Sequence, residues 1–344
     1  MKAMLLRKVA PLALNPHPLE LAEVPQPRPG GREVLVRVSV CGVCHTELDE
    51  IEGRTPPAHL PMILGHQAVG RVEEVGWEVK TLRVGDRVGV AWIFHACGTC
   101  EYCRQGQENL CPRFRATGRD VPGGYAEYLV VHEDFAHPIP EGLKDTHAAP
   151  LLCAGAIGYR SLQLTGLQNG QLLGLTGFGA SGHLVLKMVQ RIHPDSPVFV
   201  FARSEKERQF ALELGAAWAG NTDDPPPELL HAIIDTTPVW KPIVEALKAL
   251  RPGGRLVVNA IRKEDADKDA LLKIQYPRHL WLEKEIKSVA NVTRRDVRKF
   301  LQLAAEAALL PEYQEFPLEA ANEALLELKN RKIRGAKVLR IAEA

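Results

Sequence analysis

The segment Gly177-Phe178-Gly179-Ala180-Ser181-Gly182 constrains this chain more than any other. It follows an apolar run at residues 171–176 and opens a helical stretch at 182–192 that carries Leu184, Val185, Leu186 and Met188. A strand that turns on glycines into a helix gathers free main-chain N–H groups and the positive end of the helix dipole at one point, where a pyrophosphate is favoured. An apolar segment at 198–202 and a helical one at 205–214 come next, and the alternation runs on through 232–236, 243–250, 255–260 and 286–291. Strand and helix alternating at this rhythm imply a parallel sheet. The later part of the chain is therefore expected to be a dinucleotide-binding domain.

The first 150 residues have a different texture. Val34, Val36, Val38 and Val40 alternate with Leu35, Arg37 and Ser39, the period-2 pattern of a half-buried strand over 33–41. Similar short segments at 68–75, 87–92 and 126–131 are punctuated by Gly and Pro, so this part reads as mostly β. The last fifty residues predict a helix near 320–329 and a closing strand at 336–341 that can rejoin the first domain. A length of 344 residues fits two domains of roughly 100–200 residues each. With 45% apolar and 25% charged residues the chain can bury a core, which excludes the disordered and fibrous classes. Lys plus Arg is 43 against 42 for Asp plus Glu, which leaves no field to hold nucleic acid or an anionic membrane. The cluster Arg294, Arg295, Arg298, Lys299, broken by Asp296, reads as a solvated helix face. The apolar start is too short for a signal peptide and no run approaches the ~18 residues of a spanning helix, so the expectation is a cytoplasmic protein.

Seven cysteines in that compartment point to metal ligands or reactive groups rather than to disulfides. Cys97, Cys100, Cys103 and Cys111 fall within fifteen residues, with Gly98 and Gly106 to let the backbone fold round a point. Four thiolates so placed can close a tetrahedral shell on Zn²⁺ with no open position, as a structural site does; an iron–sulfur cluster is the alternative. The other cysteines lie in two segments, Cys41-Gly-Val-Cys44-His45-Thr46-Glu47 and around Cys153, and a third segment offers Gly65-His66-Gln67. A catalytic zinc takes three protein ligands, and spacing alone does not choose among Cys41, Cys44, His45, His66 and Cys153.

These motifs together resemble the zinc-dependent medium-chain alcohol dehydrogenases, most of all the bacterial type acting on simple primary alcohols, and the resemblance runs from end to end. It rests on residues 41–47, Gly65-His66-Gln67, the four-cysteine lobe, Leu151-Leu152-Cys153-Ala154-Gly155 and the glycine turn. It implies an α/β protein in which a GroES-like, mostly β catalytic domain of residues 1–153 and 291–344 surrounds an inserted Rossmann domain, a doubly wound parallel sheet, at 154–290. It implies Cys44, His66 and Cys153 as catalytic zinc ligands, with Cys41 left to packing. Thr46 matches the hydroxyl that passes on the alcohol proton, Glu47 the carboxylate that orients the histidine ligand, and His45 and Arg334 the basic contacts to pyrophosphate. Trp92 falls on the wall of the substrate pocket. Two zinc ions per chain, a small alcohol or aldehyde as substrate, and a homodimer or homotetramer complete the implication.

Two departures stand out. Most members carry a glutamate after the histidine ligand where this chain has Gln67, and Asp49 stands where many have the histidine that ends the proton relay. A third choice concerns the cofactor. An NAD-binding Rossmann domain ends its second strand with a carboxylate about 20 positions beyond the glycine turn; from Gly182 that is Ala202, followed by Arg203 and Ser204. A guanidinium and a hydroxyl suit a 2′-phosphate, which favours NADP(H) over NAD(H). The rival readings are a related zinc oxidoreductase acting on cinnamyl-type aromatic alcohols or polyols, and a non-catalytic zinc-stabilised binding protein.

Overall fold

The computed structural model describes residues 1–330 and 335–342. Its β-rich part is organised around Glu33–Val43, which pairs antiparallel with Ala68–Val75 on one side. On the other side Tyr128–His132 pairs with its first half and Ala336–Arg340 with its second. A strand flanked on both sides, with layers above and below, has no solvent face, and from Val38 to Val43 every residue is buried where the alternation predicts half. Ser39 is accommodated because its one hydroxyl proton has two acceptors in reach, Asp145 Oδ2 (2.5 Å) and Val69 O (3.0 Å). The sheet has seven strands, extended by Arg87–Val90 and Ala136–Pro138 at one edge and by Tyr313–Pro317 at the other. A smaller sheet joins Leu19–Glu23, Lys2–Leu6 and Met62–Ile63. With Met1–Ala156 and Val292–Ala344 these elements form one compact unit.

Residues Ile157–Asn291 form the second. Its six strands are all parallel, in spatial order Trp218–Gly220, Val198–Phe201, Leu173–Thr176, Leu230–Asp235, Leu250–Val258, Glu285–Ser288. Chain order thus reverses between Leu173–Thr176 and Leu230–Asp235, and the crevice outside such a switch point is where open α/β sheets bind ligands. Phe199, Phe201, Ile233 and Leu256 on the strands pack against Ile243 and Leu247 of the helix Lys241–Ala249.

Arg294 is not the solvated charge that the sequence predicts. Its Nε donates to Glu108 Oε1 (2.9 Å) and its guanidinium lies 4.8 Å from the centre of the Phe135 ring. Asp296, buried, accepts from Thr293 N–H (2.9 Å) while Thr293 Oγ1 accepts from Asp296 N–H (3.1 Å), a reciprocal cap that starts the helix Arg294–Glu306. Among the described residues no helix is long and apolar enough to cross a membrane.

Candidate active site and metal centres

Cys44 directly follows the central strand and caps the helix His45–Ile51, its sulfur accepting from Thr46 N–H (3.5 Å). His66 follows the edge strand Met62–Ile63 and is buried. Cys153 sits inside a single π-helical turn, Leu151–Gly155, between the helices Asp145–Pro150 and Ala156–Thr165. One residue too many in a helical turn re-aims a side chain, and such turns recur at functional sites. The three come from positions 44, 66 and 153, yet their ligand atoms all lie within 4.8 Å of one another. Cys44 Sγ is 3.9 Å from Cys153 Sγ, and His66 Nε2 is 3.2 Å from Cys153 Sγ. None of the cysteines is in a disulfide.

Glu47 fixes the orientation of this set. Its Oε1 accepts from His66 Nδ1–H (2.5 Å) and its Oε2 from Cys44 N–H (2.8 Å), so one buried carboxylate holds two of the three candidate ligands. With the Nδ1 proton held by Glu47, Nε2 is the nitrogen that can give up its proton and turn a lone pair toward an ion shared with the sulfurs. Cys44 is the more acidic thiol: the bond from Cys153 lowers it most, against the effect of burial, and His66 lowers it further. Cys153 is pushed up by the same bond and by burial. Burial pushes His66 down, but the charge of Glu47 and the Cys44 sulfur outweigh it and leave the ring well above its usual value. Two soft sulfurs and one imidazole nitrogen, converging without a fourth protein donor within that cluster, fit a tetrahedral zinc with an open position.

The remaining expected residues occupy varied settings. Thr46 Oγ1 lies 3.5 Å from Cys44 Sγ. His45 is exposed in the first turn of its helix. Asp49 is buried, and its Oδ1 accepts from Arg54 Nε (2.5 Å). Gln67 is buried against Gly42, where a Cβ would come within 2.7 Å of Gln67 Oε1. Trp92 packs on Phe114, with ring centres 5.2 Å apart, and carries Arg119 over its face. Arg334 lies outside the described residues. Cys41 is fully buried, and burial pushes its thiol well up, as for a packing residue. The sequence reading missed Glu50, a fully buried carboxyl on the same helix as Thr46, raised well above its usual range by burial and then by the charge of Glu47.

Cys97, Cys100, Cys103 and Cys111 also bring their sulfurs within 4.8 Å of one another. Gly98 and Gly106 take positive φ, +72° and +70°, as a chain wrapped round a point requires. Main-chain N–H groups point inward: Cys97 N–H donates to Cys111 Sγ (3.3 Å) and Cys100 N–H to Cys97 Sγ (3.3 Å). Donors from Thr99 and Cys100 hold Cys97 down at about 4, whereas burial and the neighbouring cysteines push Cys103 up to about 12.

In the second unit Gly177 has φ +79°, and a Cβ there would sit 2.8 Å from Thr236 Oγ1. A Cβ on Gly182 would lie 2.9 Å from Gly177 O, so this glycine lets the helix Ala180–Ile192 pack closely on the turn. Gly179, between them, faces nothing within 4 Å. Tight turn, open approach and close packing are the three tasks of a dinucleotide-binding glycine motif. At the end of the second strand Ala202 is buried, and Arg203 and Ser204 are exposed. Arg208, which sequence reasoning overlooked, donates from Nη1 to Ala202 O (2.8 Å) and Arg203 O (2.9 Å).

A β unit with a three-residue cluster able to hold a metal and a four-sulfur lobe, joined in one chain to a parallel sheet with this turn, is the make-up of an oxidoreductase. Residues 30–141 match the alcohol dehydrogenase GroES-like domain. The chain is 42% identical to a "probable alcohol dehydrogenase AdhA" of Mycobacterium tuberculosis, over 99% of its own length and 97% of that protein's. It is 35% identical to an alcohol dehydrogenase of Geobacillus stearothermophilus, covering 94% of this chain and 96% of that one. Its fold matches a cinnamyl alcohol dehydrogenase of Sorghum bicolor with a TM-score of 0.85 at 28% identity, over 98% and 97% of the two chains. The chain belongs to the zinc-type medium-chain alcohol dehydrogenase family.

Proposed function

We propose that this alcohol dehydrogenase is zinc-dependent, takes short primary alcohols and their aldehydes, and uses NADP(H) in preference to NAD(H). The convergence of Cys44, His66 and Cys153 under the control of Glu47 carries the reading. Those three residues would hold a catalytic Zn²⁺, and the four-cysteine lobe a structural one. Bound there, the catalytic ion supplies Lewis acidity toward an alcohol or carbonyl oxygen, and a nicotinamide supplies the hydride acceptor or donor.

The chain's own residues do the rest. Glu47 keeps His66 in the Nδ1–H tautomer and anchors the Cys44 main chain, so the ligand geometry survives each turnover. Thr46 holds the alcohol proton at Oγ1 and passes it outward, and Asp49, steadied by Arg54, is assigned the far end of that relay. The main chain at Gly177, Gly179 and Gly182 is assigned to the pyrophosphate, and His45 and Arg334 keep the pyrophosphate-contact role that the family resemblance implies. Trp92 is assigned to the pocket wall, where its bulk favours unbranched chains.

The absence of a carboxylate at Ala202 and the nearness of Arg203, Ser204 and Arg208 support a 2′-phosphate. We also assign a homo-oligomer, because Glu285–Ser288 is an exposed edge strand with Ile286 at 47% and nearby Trp281 at 54% exposure, a surface that single chains ordinarily cover. The test is kcat/KM for a ladder of primary, secondary and cinnamyl-type alcohols with each cofactor, in the wild type and in Ala202→Asp. The substitution should penalise NADP(H) far more than NAD(H). A wild type at least ~10-fold better with NAD(H), about 1.4 kcal/mol in transition-state terms, would refute the cofactor assignment.

A further inference from the structure

The parallel strands Leu173–Thr176, Leu230–Asp235 and Leu250–Val258 end at the glycine-turn edge of their sheet and begin at the opposite edge. There they border a cavity of about 330 Å³, at the lower end of the ~300–1,000 Å³ of small-ligand sites. Its eight lining residues include His231, Arg251 and Arg255 and no carboxylate.

The hydrogen bonding of His231 is out of balance. Leu172 N–H donates to its Nδ1 (3.1 Å), and Arg251 Nη1 stands 2.5 Å from its Nε2. Both neighbours are donors, and a neutral imidazole has one lone pair. Leu172 is held at the start of its strand and takes that lone pair, which puts the ring proton on Nε2, facing the guanidinium. At 2.5 Å two N–H groups cannot face each other, so the exposed Arg251 side chain turns off the ring, and both N–H groups are left to one acceptor. Burial, and after it the charge of Arg251, lower His231 below its usual value.

Arg255 does not relieve the imbalance. Its Nε and Nη2 bind the Glu285 carboxylate at 2.8 and 3.0 Å, and its Nη1 donates to Leu164 O (3.0 Å), which fixes it as wall. Arg251 is exposed, and its guanidinium meets the His231 ring rather than a carboxylate of the described residues.

We propose that this cavity is a phosphate-group site, in which one oxyanion accepts from both the Arg251 guanidinium and His231 Nε2–H. A guanidinium fork matches phosphate geometry, and hydrogen bonds to an oxyanion are charge-assisted. The rest of the cavity accommodates the organic part of a small phosphate monoester, with the Gln171 side chain in the lining. The site lies at the sheet edge remote from the glycine turn, so it is separate from the dinucleotide crevice.

The experiment is calorimetric titration and thermal melting with inorganic phosphate at constant ionic strength in chloride, with NADP(H) saturating so that the cofactor's own anion sites are filled. Glycerol phosphate in a parallel titration separates a monoester from the free ion: tighter binding than phosphate assigns the larger ligand, and equal binding the ion. The wild type should be stabilised by phosphate over chloride, and Arg251→Met should weaken binding at least ~10-fold, with its unliganded melting temperature as the check on folding. The ¹⁵N spectrum of the His231 ring should show the Nε2–H tautomer and shift on titration. No preference for phosphate over chloride, or equal binding by Arg251→Met, would overturn the proposal.

Discussion

Replacing Glu47 by Gln removes one acceptor oxygen and changes nothing else of size. The carboxylate uses both oxygens, one for His66 Nδ1–H at 2.5 Å and one for Cys44 N–H at 2.8 Å. A glutamine has one carbonyl oxygen and an NH₂ that can only donate, so it satisfies one of these donors and confronts the other with an N–H. Either the His66 ring loses its tautomer or the Cys44 main chain loses its anchor, and Glu47 and His66 are both buried, so water offers little relief. Loss of such a ligand-orienting partner costs ~10- to 100-fold in metal affinity, about 1.4–2.8 kcal/mol. Competition with a chromogenic chelator measures that affinity directly, apart from turnover. Glu47→Gln should release the more labile zinc at proportionally lower chelator concentration and lose activity in parallel. Affinity within a factor of ~2 of wild type would refute the claim that Glu47 holds the ligand set, since the threshold sits far below the predicted range.

Thr46→Val keeps the side chain's size and removes the hydroxyl, so alcohol oxidation should fall by ~100-fold or more, and an unaltered rate would take Thr46 out of the proton path. His137 is fully buried, and burial, then Arg298 and Arg294, bring it down to about 3. The unfolded chain therefore binds a proton that the folded one refuses between pH ~6.5 and ~3, so stability is lost as pH falls through that window, by about 2 kcal/mol at pH 5. His137→Leu should remove most of that loss in denaturant melts at pH 7.5 and 5, and equal losses in both proteins would contradict the assignment. Glu50 has the opposite sign. Its raised carboxyl costs stability as pH rises above its unfolded value, so Glu50→Gln should stabilise more at pH 8 than at pH 5, and a destabilised variant at pH 8 would count against it.

The local devices of the fold were legible because they are written in adjacent residues. The glycine turn and the four-cysteine lobe each declare themselves within fifteen residues, and the strands at 68–75 and 198–201 follow from short apolar runs bounded by breakers. The candidate catalytic cluster was legible only through family resemblance. Cys44, His66 and Cys153 meet through a strand end, a loop and a π turn, and nothing in the composition of Leu151–Gly155 announces the extra residue in that turn. Long-range polar pairing was the other blind spot. Arg294 looks like surface charge until Glu108, 186 positions away, is brought against it. Glu50 sits in a short helix like a solvated residue, yet the fold buries it completely.

If Cys44, His66 and Cys153 hold the ion that serves turnover and the four-cysteine lobe holds a structural one, activity follows the first ion alone. Zinc quantification during stepwise chelation, with activity followed on the same samples, tests it most directly. Two zinc ions per chain are expected, one removed readily with complete loss of activity that added Zn²⁺ restores, and one retained until the fold is lost. A fully active protein holding a single zinc, or activity unchanged after the labile ion has gone, would contradict it.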